Sequence, residues 1–403
     1  MLSFALRNLF RYKVRTALSV AAVIFGVVSV ILSGGFIQDV FFQLKESTIH
    51  SRLGHLQIYR AGFYEVGRRE PYAYMIQHPM KLISQVKKLP HVLEVMQRLQ
   101  FSGLLNNGRR GEAPIMAEGV EPDKEVRLVS AVTLISGRPL QEGDNFGVMI
   151  GEGVAHALQL KPGDITTLLA TTPDGAYNSL DFEVVGVFRT MSREYDSRTI
   201  RLSLSAAQEL LDIRAVHSLV VLLDRTVHTD EVLSVLKTSL SKEFEVKPWY
   251  VLAEFYQNAV ALYQRQFVVL EIIVVVLVLL SVASSVNMVV HERTGEYGTL
   301  RALGDRPGDV FRLIVTENIL LGLIGGIFGV VIGVVMALAI SGVGIAMPPP
   351  PNMNGVYLAK IRLVPSVITA AFVLGLVATI LSALWPAWRV TRTPISEALH
   401  FNL

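Results

Sequence analysis

The sequence predicts a membrane protein with four transmembrane α-helices and a large α+β extracytoplasmic domain between helices one and two. Three observations carry that prediction. Four runs reach the roughly 20 apolar residues that a bilayer core demands. A long segment, 38–266, separates the first two runs and alternates strand and helix patterns along its whole length. Basic residues gather beside the ends of the runs. Composition agrees, because 403 residues that are 51% hydrophobic are too apolar for an ordinary soluble protein. A net charge of +3 is too weak to point to nucleic acid. The absence of cysteine excludes a disulfide framework, thiolate catalysis and thiolate metal sites.

In chain order, residues 1–16 form an amphipathic segment carrying Arg7, Arg11, Lys13 and Arg15, and 17–37 is the first span, "ALSVAAVIFGVVSVILSGGFI". That run is longer than a signal-peptide core and has no convincing small-x-small cleavage site, so it reads as a retained anchor. Residues 38–266 are the outer domain. "APIMAEGV" from Ala113, "ITTLLA" from Ile165, "DFEVVGVF" from Asp181 and "SLVVLL" from Ser218 read as strands, "KPGD" at Lys161 to Asp164 as a turn. "SAAQELLD" from Ser205 and "TDEVLSVLKTSLSK" from Thr229 have helical spacing behind Ser and Thr caps. The expectation is a β-rich insert over about 101–204 with helices at both flanks. The second span is 267–290, a cytoplasmic loop 291–312, the third span 313–345, a short outer loop 346–363 containing "MPPPPN", the fourth span 364–388, and a tail 389–403. Arg293, Arg301, Arg306 and Arg312 follow span two, and Arg389 and Arg392 follow span four. Four crossings put all basic clusters on one side, and that side is the cytoplasm, with both termini there.

Chemistry of its own is mostly absent. The chain has no G-x-x-x-x-G-K-[ST] phosphate loop, no G-x-G-x-x-G after a strand, no H-E-x-x-H and no G-x-S-x-G elbow. Its nine histidines are scattered singly, and no catalytic or metal-binding residue is read from them. Glu271 and Glu317 lie inside spans, where an ionisable group is a functional hypothesis by default; snorkelling or a bond to a neighbouring helix is the plainer account. In the third span Gly325, Gly329 and Gly333 recur every four residues with Gly322 and Gly326 beside them, so another helix can approach closely. Whether that helix belongs to the same chain or to a second copy stays open. Phe36, Phe41 and Phe42 near the top of span one suit contact with acyl chains, and equally suit an interfacial aromatic belt.

Between spans two and three, Glu296, Tyr297, Gly298, Thr299, Leu300, Arg301, Ala302 and Leu303 have helical spacing with Tyr297, Leu300 and Leu303 on one stripe. Gly304 is placed to end that helix in a left-handed cap, and Pro307 to start the next. Such a helix either floats on the lipid surface or docks a soluble partner.

"EYGTLRALG", followed by "VTENILLGLIGGIFGVVIG", resembles the signature of the FtsX-like permease family, the type VII or mechanotransmission ABC transporter permeases. "WPAWRVTRTPISEALHF" is similar to the family's terminus at Pro386, Ala387, Pro394, Glu397, Ala398 and Leu399, and "ALRNLFRYKVRTALSVAAVIFGV" to its first helix. "GHLQIY" from Gly54, "VMIGEGVAHALQLKPGDITTL" and "FEVVGVFRTMSREYDSRTIRLSLSAAQELL" are similar to the lipoprotein-releasing permeases, whereas the proline run Pro348 to Pro351 departs from them. The resemblance implies a permease subunit in the bacterial inner membrane, paired with a second permease, identical or paralogous, and with a dimer of a separate cytoplasmic ABC ATPase that binds ATP and Mg. This chain itself then binds no cofactor. It implies that Glu296 to Gly304 is the coupling helix, with Leu300, Arg301 and Leu303 as contacts. Spans one and two form a stalk that transmits ATP-driven closure to the outer domain, which has a porter-like part from both flanks and a β-rich inserted part. The cargo implied is lipoprotein or other lipid-linked material passed to a periplasmic carrier. Export of a peptide, antibiotic or small molecule, and activation of an outer enzyme without transport, remain alternatives.

Overall fold

The computed structural model describes residues 13–67, 69–108, 111–128, 132–347, 354, 357–395 and 398. The segment before Lys13, the proline run Pro348 to Pro351, and Glu397 and Leu399 of the terminal motif lie outside the described residues. The chain divides into two compact units. One is helical, through Phe42, Val260–Met347 and from Leu358 on; the other is α+β, Gln43–Ala259 with Pro348–Tyr357.

The first span is part of a longer helix, α1 (Lys13–Thr48), continued by a wider turn over Ile49–Leu53. Its 36 residues extend well past the expected 17–37. The reason is local: beyond the apolar run, Ile37, Phe41 and Leu44 are buried at helical spacing while Gln38 and Phe42 are exposed, so an amphipathic helix takes over where the apolar one ends.

The α+β unit is built on one ten-stranded sheet. Its strands are β1 (Leu56–Arg60), β2 (Val92–Asn106), β3 (Glu112–Val120), β4 (Thr133–Gly137), β5 (Gly147–Gly151), β6 (Ile165–Thr171), β7 (Tyr177–Arg189), β8 (Thr199–Ser203), β9 (Ser218–Leu223) and β10 (Phe244–Pro248). They lie in the order β10-β1-β9-β2-β3-β8-β5-β7-β4, with β6 bridging β2 and β7. Pairing is antiparallel except for β3 with β8 and β5 with β7. The long β2 serves two lobes: its first half pairs with β9 and its second with β3 and β6. In one lobe, helices α2 (Pro79–Val86) and α6 (Thr229–Ser239) bury Leu82, Val86, Val232 and Leu236 against Leu56, Ile58, Val95 and Val221. In the other, α4 (Glu152–Leu158) and α5 (Leu204–Leu211) cover Ile115, Val148, Phe182 and Leu202. A further helix, α3 (Pro122–Leu128), follows β3. The flanks thus contribute strands as well as helices. The β1 and β10 segments are only five residues each, and Glu245 and Lys247 interrupt β10, so neither offers a long run to a search for alternation. The Lys161–Asp164 turn forms as read, with Gly163 at φ +93° and the Asp164 N–H on the Lys161 carbonyl at 3.0 Å.

Two buried histidines make this unit acid-sensitive. His55 Nδ1 accepts the Leu223 N–H at 3.1 Å, and His217 Nδ1 accepts the Gln100 N–H at 3.1 Å. Burial pushes both imidazoles down to about 4 from 6.5. The neutral form is favoured in the folded state, so this contribution is complete above pH 6.5 and is lost as pH falls from 6.5 through 4. Each histidine costs up to about 3 kcal/mol at the acid limit. Denaturant midpoints of the full chain are expected to fall over that window, and to fall less in His217→Asn, whose amide oxygen accepts the same N–H and does not titrate.

The helical unit holds α7 (Glu254–Glu292), α8 (Thr294–Ala302), α9 (Pro307–Val343) and α10 (Pro365–Arg392). Among the described residues, α1, α7, α9 and α10 are long and apolar enough to cross a membrane. Between α9 and α10 the expected loop contains a two-stranded ribbon, β11 (Ile345–Met347) with β12 (Tyr357–Ala359). The glycines of α9 fall on two faces. A Cβ at Gly325, Gly329 or Gly333 would stand 2.9, 2.8 and 3.0 Å from Val23, Val27 and Ile31 of α1. One at Gly326 would stand 2.8 Å from Phe372 of α10, and one at Gly322 would strike Thr379. The close-approach partners are therefore spans of the same chain. Gly329→Leu drives four carbons into Val27 and is expected to prevent assembly of a monodisperse, cooperatively unfolding protein in detergent. A melting midpoint equal to that of the parent chain would show that the gap between α1 and α9 is not needed.

Candidate functional site

Two braced features stand out, one in each unit. In the helical unit, α8 is short and amphipathic and is held at both ends. At its start, Arg293 is 3% exposed and donates from Nη1 to Glu317 of α9 at 2.8 Å and from Nε to Glu296 at 3.0 Å. Glu317 is thereby a buried ion-pair partner, and removal of either charge would strand the other. Near its end, Arg301 Nη1 donates to the Thr393 carbonyl, just past α10, at 2.6 Å. Gly304 has φ +113°, and the Asp305 N–H bonds the Leu300 carbonyl at 3.1 Å, which closes the helix with the left-handed cap that glycine permits. Pro307 then opens α9, with the Arg306 N–H on Asp309 Oδ2 at 3.2 Å.

This bracing sorts the predicted stripe. Tyr297 is 1% exposed inside the bundle core, under the Arg293 guanidinium at 5.0 Å, and Gly298 is buried. Leu300 is half-buried on the same core. Glu296 and Arg301 are engaged as described, and Thr299 bonds the Gly295 carbonyl at 2.9 Å. Ala302 and Gly304 are exposed, and Leu303 stands 81% exposed at the tip.

In the α+β unit, the turn that ends α1 is clamped to the sheet. Arg98 on β2 donates to the Arg52 carbonyl at 2.7 Å, and Arg201 on β8 to the Ser51 carbonyl at 2.7 Å. Helix ends leave such carbonyls without intrahelical donors. Both guanidiniums are buried, and two buried carboxylates balance them. Glu125 on α3 takes both oxygens to Arg98 Nη2 at 2.8 and 2.7 Å. Glu118 on β3 lies 3.5 Å from Arg201 and 3.8 Å from Arg98, and accepts the Tyr195 hydroxyl at 2.6 Å and Gln100 Nε2 at 2.9 Å. Burial alone would push the Glu118 carboxyl up; Arg98 and Arg201 hold it below the usual range. Asp196, next to Tyr195, is buried, accepts Thr190 Oγ1 at 2.7 Å and holds Asn354 Nδ2 at 2.7 Å. Burial pushes its carboxyl up. The "YD" pair therefore works as two anchors.

Sequence reasoning missed the clamp. Its available signal was a lone charge inside each of three apolar runs, "VMQRLQF", "APIMAEGV" and "TIRLSL". The remaining predicted residues stay apart from these features. Phe41 is 8% exposed and meets Tyr263 with ring centroids 6.5 Å apart. Phe42 lies under the Arg362 guanidinium at 3.7 Å, Phe36 is half-buried on α1, and Glu271 is partly exposed on α7.

Two family models match the chain. That of the FtsX-like permease C-terminal region covers residues 268–395, and that of the MacB-like periplasmic core domain covers 16–238, over half of the chain. The chain belongs to the family of the MacB-like periplasmic core domain and carries an FtsX-like permease C-terminal region. This permease is a multi-pass membrane protein of the type VII, LolC- and MacB-like ABC transporter kind. It is 26% identical over 223 residues to an ABC transporter permease of Methanocaldococcus jannaschii, covering 53% of this chain and 54% of that protein, so the match spans about half the relative's length. It is 24% identical over 329 residues to the lipoprotein-releasing system transmembrane protein LolC of Xylella fastidiosa, covering 78% and 79%. With the macrolide export ATP-binding/permease protein MacB of Nitrobacter winogradskyi it shares 24% over 306 residues, covering 72% and 44%. The crystal structure of the periplasmic region of MacB from Actinobacillus actinomycetemcomitans aligns at 19% identity over 51% of this chain and 94% of that one, TM-score 0.37.

Proposed function

We propose that this permease is the membrane subunit of an ABC transporter, driven by a separate cytoplasmic ATPase dimer that binds ATP and Mg, and working beside a second permease. In this reading it resides in the bacterial inner membrane and moves lipid-linked cargo, a lipoprotein, from the outer leaflet towards a periplasmic carrier. The observation that carries the coupling part is the braced α8, with Leu303 presented at its tip. A helix tied to α9 and α10 at both ends passes a push on its surface to those spans. Similarity to LolC over most of both chains supports the cargo. Orientation rests on Arg293, Arg301, Arg306, Arg312, Arg389 and Arg392. Arg389 and Arg392 also lie over Trp385 and Trp388, at 5.7 and 4.2 Å, as in an interfacial belt on the basic side. The MacB-like core match favours a second reading, export of a small molecule by the same machine.

The test is a pull-down of the full chain from mild detergent, with mass spectrometry of proteins and lipids. An ABC ATPase recovered with acylated proteins supports the first reading, and an ATPase with an export duct or adaptor supports the second. No ATPase at all overturns both. Because the chain has no cysteine, single Leu303→Cys and Gly175→Cys variants report orientation cleanly, and labelling of both from the same face would contradict it.

A further inference from the structure

We infer that the outer domain carries a transition-metal site formed by His91, Asp224 and His228, of the kind that takes Zn2+. In sequence His91 stands 133 positions from Asp224, so nothing local marks the group. Strand register creates it. β2 and β9 run antiparallel with Val92 opposite Leu223, so His91, just before β2, meets Asp224, just after β9, and the Asp224 N–H bonds the His91 carbonyl at 3.0 Å. One turn later the chain brings back His228 at the head of α6.

The donor atoms converge. His91 Nδ1 lies 3.0 Å from Asp224 Oδ2, and His228 Nδ1 lies 2.7 Å from Asp224 Oδ1. All three ligand atoms fall within 4.8 Å of one another, and the two rings lie side by side, tilted by 32°, with centroids 3.7 Å apart. Metal–ligand bonds of about 2.0–2.2 Å in a tetrahedron put ligand atoms about 3.3 Å apart, so each of the two His–Asp pairs has to part by roughly half an ångström to admit an ion. Charge argues the same way, because the Asp224 carboxylate between the two imidazoles supplies an anionic ligand for a divalent ion. Two imidazoles and one carboxylate suit a borderline ion such as Zn2+ and disfavour Mg2+ and Ca2+, which want an oxygen shell. The side chains are 34%, 37% and 23% exposed, which leaves the fourth position open to water or to a donor from another protein. His91 also occupies the left-handed region at φ +68°, a conformation that costs energy for a non-glycine residue and recurs at binding sites. A bound ion would staple the start of β2 to the β9–α6 junction.

The experiment titrates Zn2+ alone into the untagged full chain in detergent, reading stoichiometry by calorimetry and competition with a zinc dye. One Zn2+ per chain is expected, with a raised melting midpoint and no such effect from millimolar Mg2+ or Ca2+. His228→Ala and His91→Asn should each weaken binding at least tenfold; asparagine tolerates the left-handed backbone, so the second variant keeps the loop. Co2+ in place of Zn2+ should give a d–d spectrum that both variants lose. No binding up to about 1 mM, or equal binding in the His91→Asn/His228→Ala double variant, overturns the site.

Discussion

Glu118→Leu is expected to unfold the outer domain or bring it to the edge of unfolding. The substitution leaves Arg98 and Arg201 facing a single carboxylate in a site with almost no water contact, and takes the acceptor from Tyr195 and Gln100. Breaking a buried ion network from one side costs about 3–5 kcal/mol. Domains hold only about 5–15 kcal/mol in total. Urea or thermal unfolding of the full chain, followed with limited proteolysis of the outer domain, measures the loss. Glu118→Gln keeps an oxygen acceptor for Tyr195 and should lose distinctly less. A parent-like midpoint for Glu118→Leu would mean that the clamp holds α1 no better than ordinary packing does.

Leu303→Asp should leave the fold intact and weaken ATPase association and transport-linked ATP hydrolysis by about tenfold or more, the scale of removing a central apolar side chain from an interface. Leu303 is 81% exposed, so a charge there disturbs nothing within the chain. Leu300→Asp, the more obvious choice from the helical stripe, confounds the test because Leu300 packs on the bundle core and a charge there lowers stability as well. The pair of variants separates the two effects: an unchanged melting midpoint with coupling weakened for Leu303→Asp, a lowered midpoint with coupling weakened for Leu300→Asp. Full ATP hydrolysis in Leu303→Asp would move the docking surface elsewhere.

How far this could be read beforehand depends on the range of the forces involved. The spans were legible because a bilayer imposes a length on each, and the α8 cap because Gly304 and Pro307 act on their own backbone. Helix ends were not, since α1 and α7 continue past the apolar runs on amphipathic spacing. The glycine spacing was visible, but one position of offset turns a helix by about 100°, so Gly322 and Gly326 serve α10 while Gly325, Gly329 and Gly333 serve α1. The clamp and the histidine pair were invisible because each depends on strand register. The parallel β3–β8 pairing sets Glu118 directly beside Arg201, and the β2–β9 pairing sets His91 beside Asp224. A charge in an apolar strand signals a partner without naming it.

The glycine face of α9 also has a mechanical meaning. It meets α1 at Val23, Val27 and Ile31, which stand four residues apart like the glycines they face. At 1.5 Å per residue the three contacts follow one another about 6 Å apart, one turn at a time. Seated glycine by glycine, the two helices share a register. A slide of α1 by one turn would bring Val27 opposite Gly325 and would have to break all three contacts together.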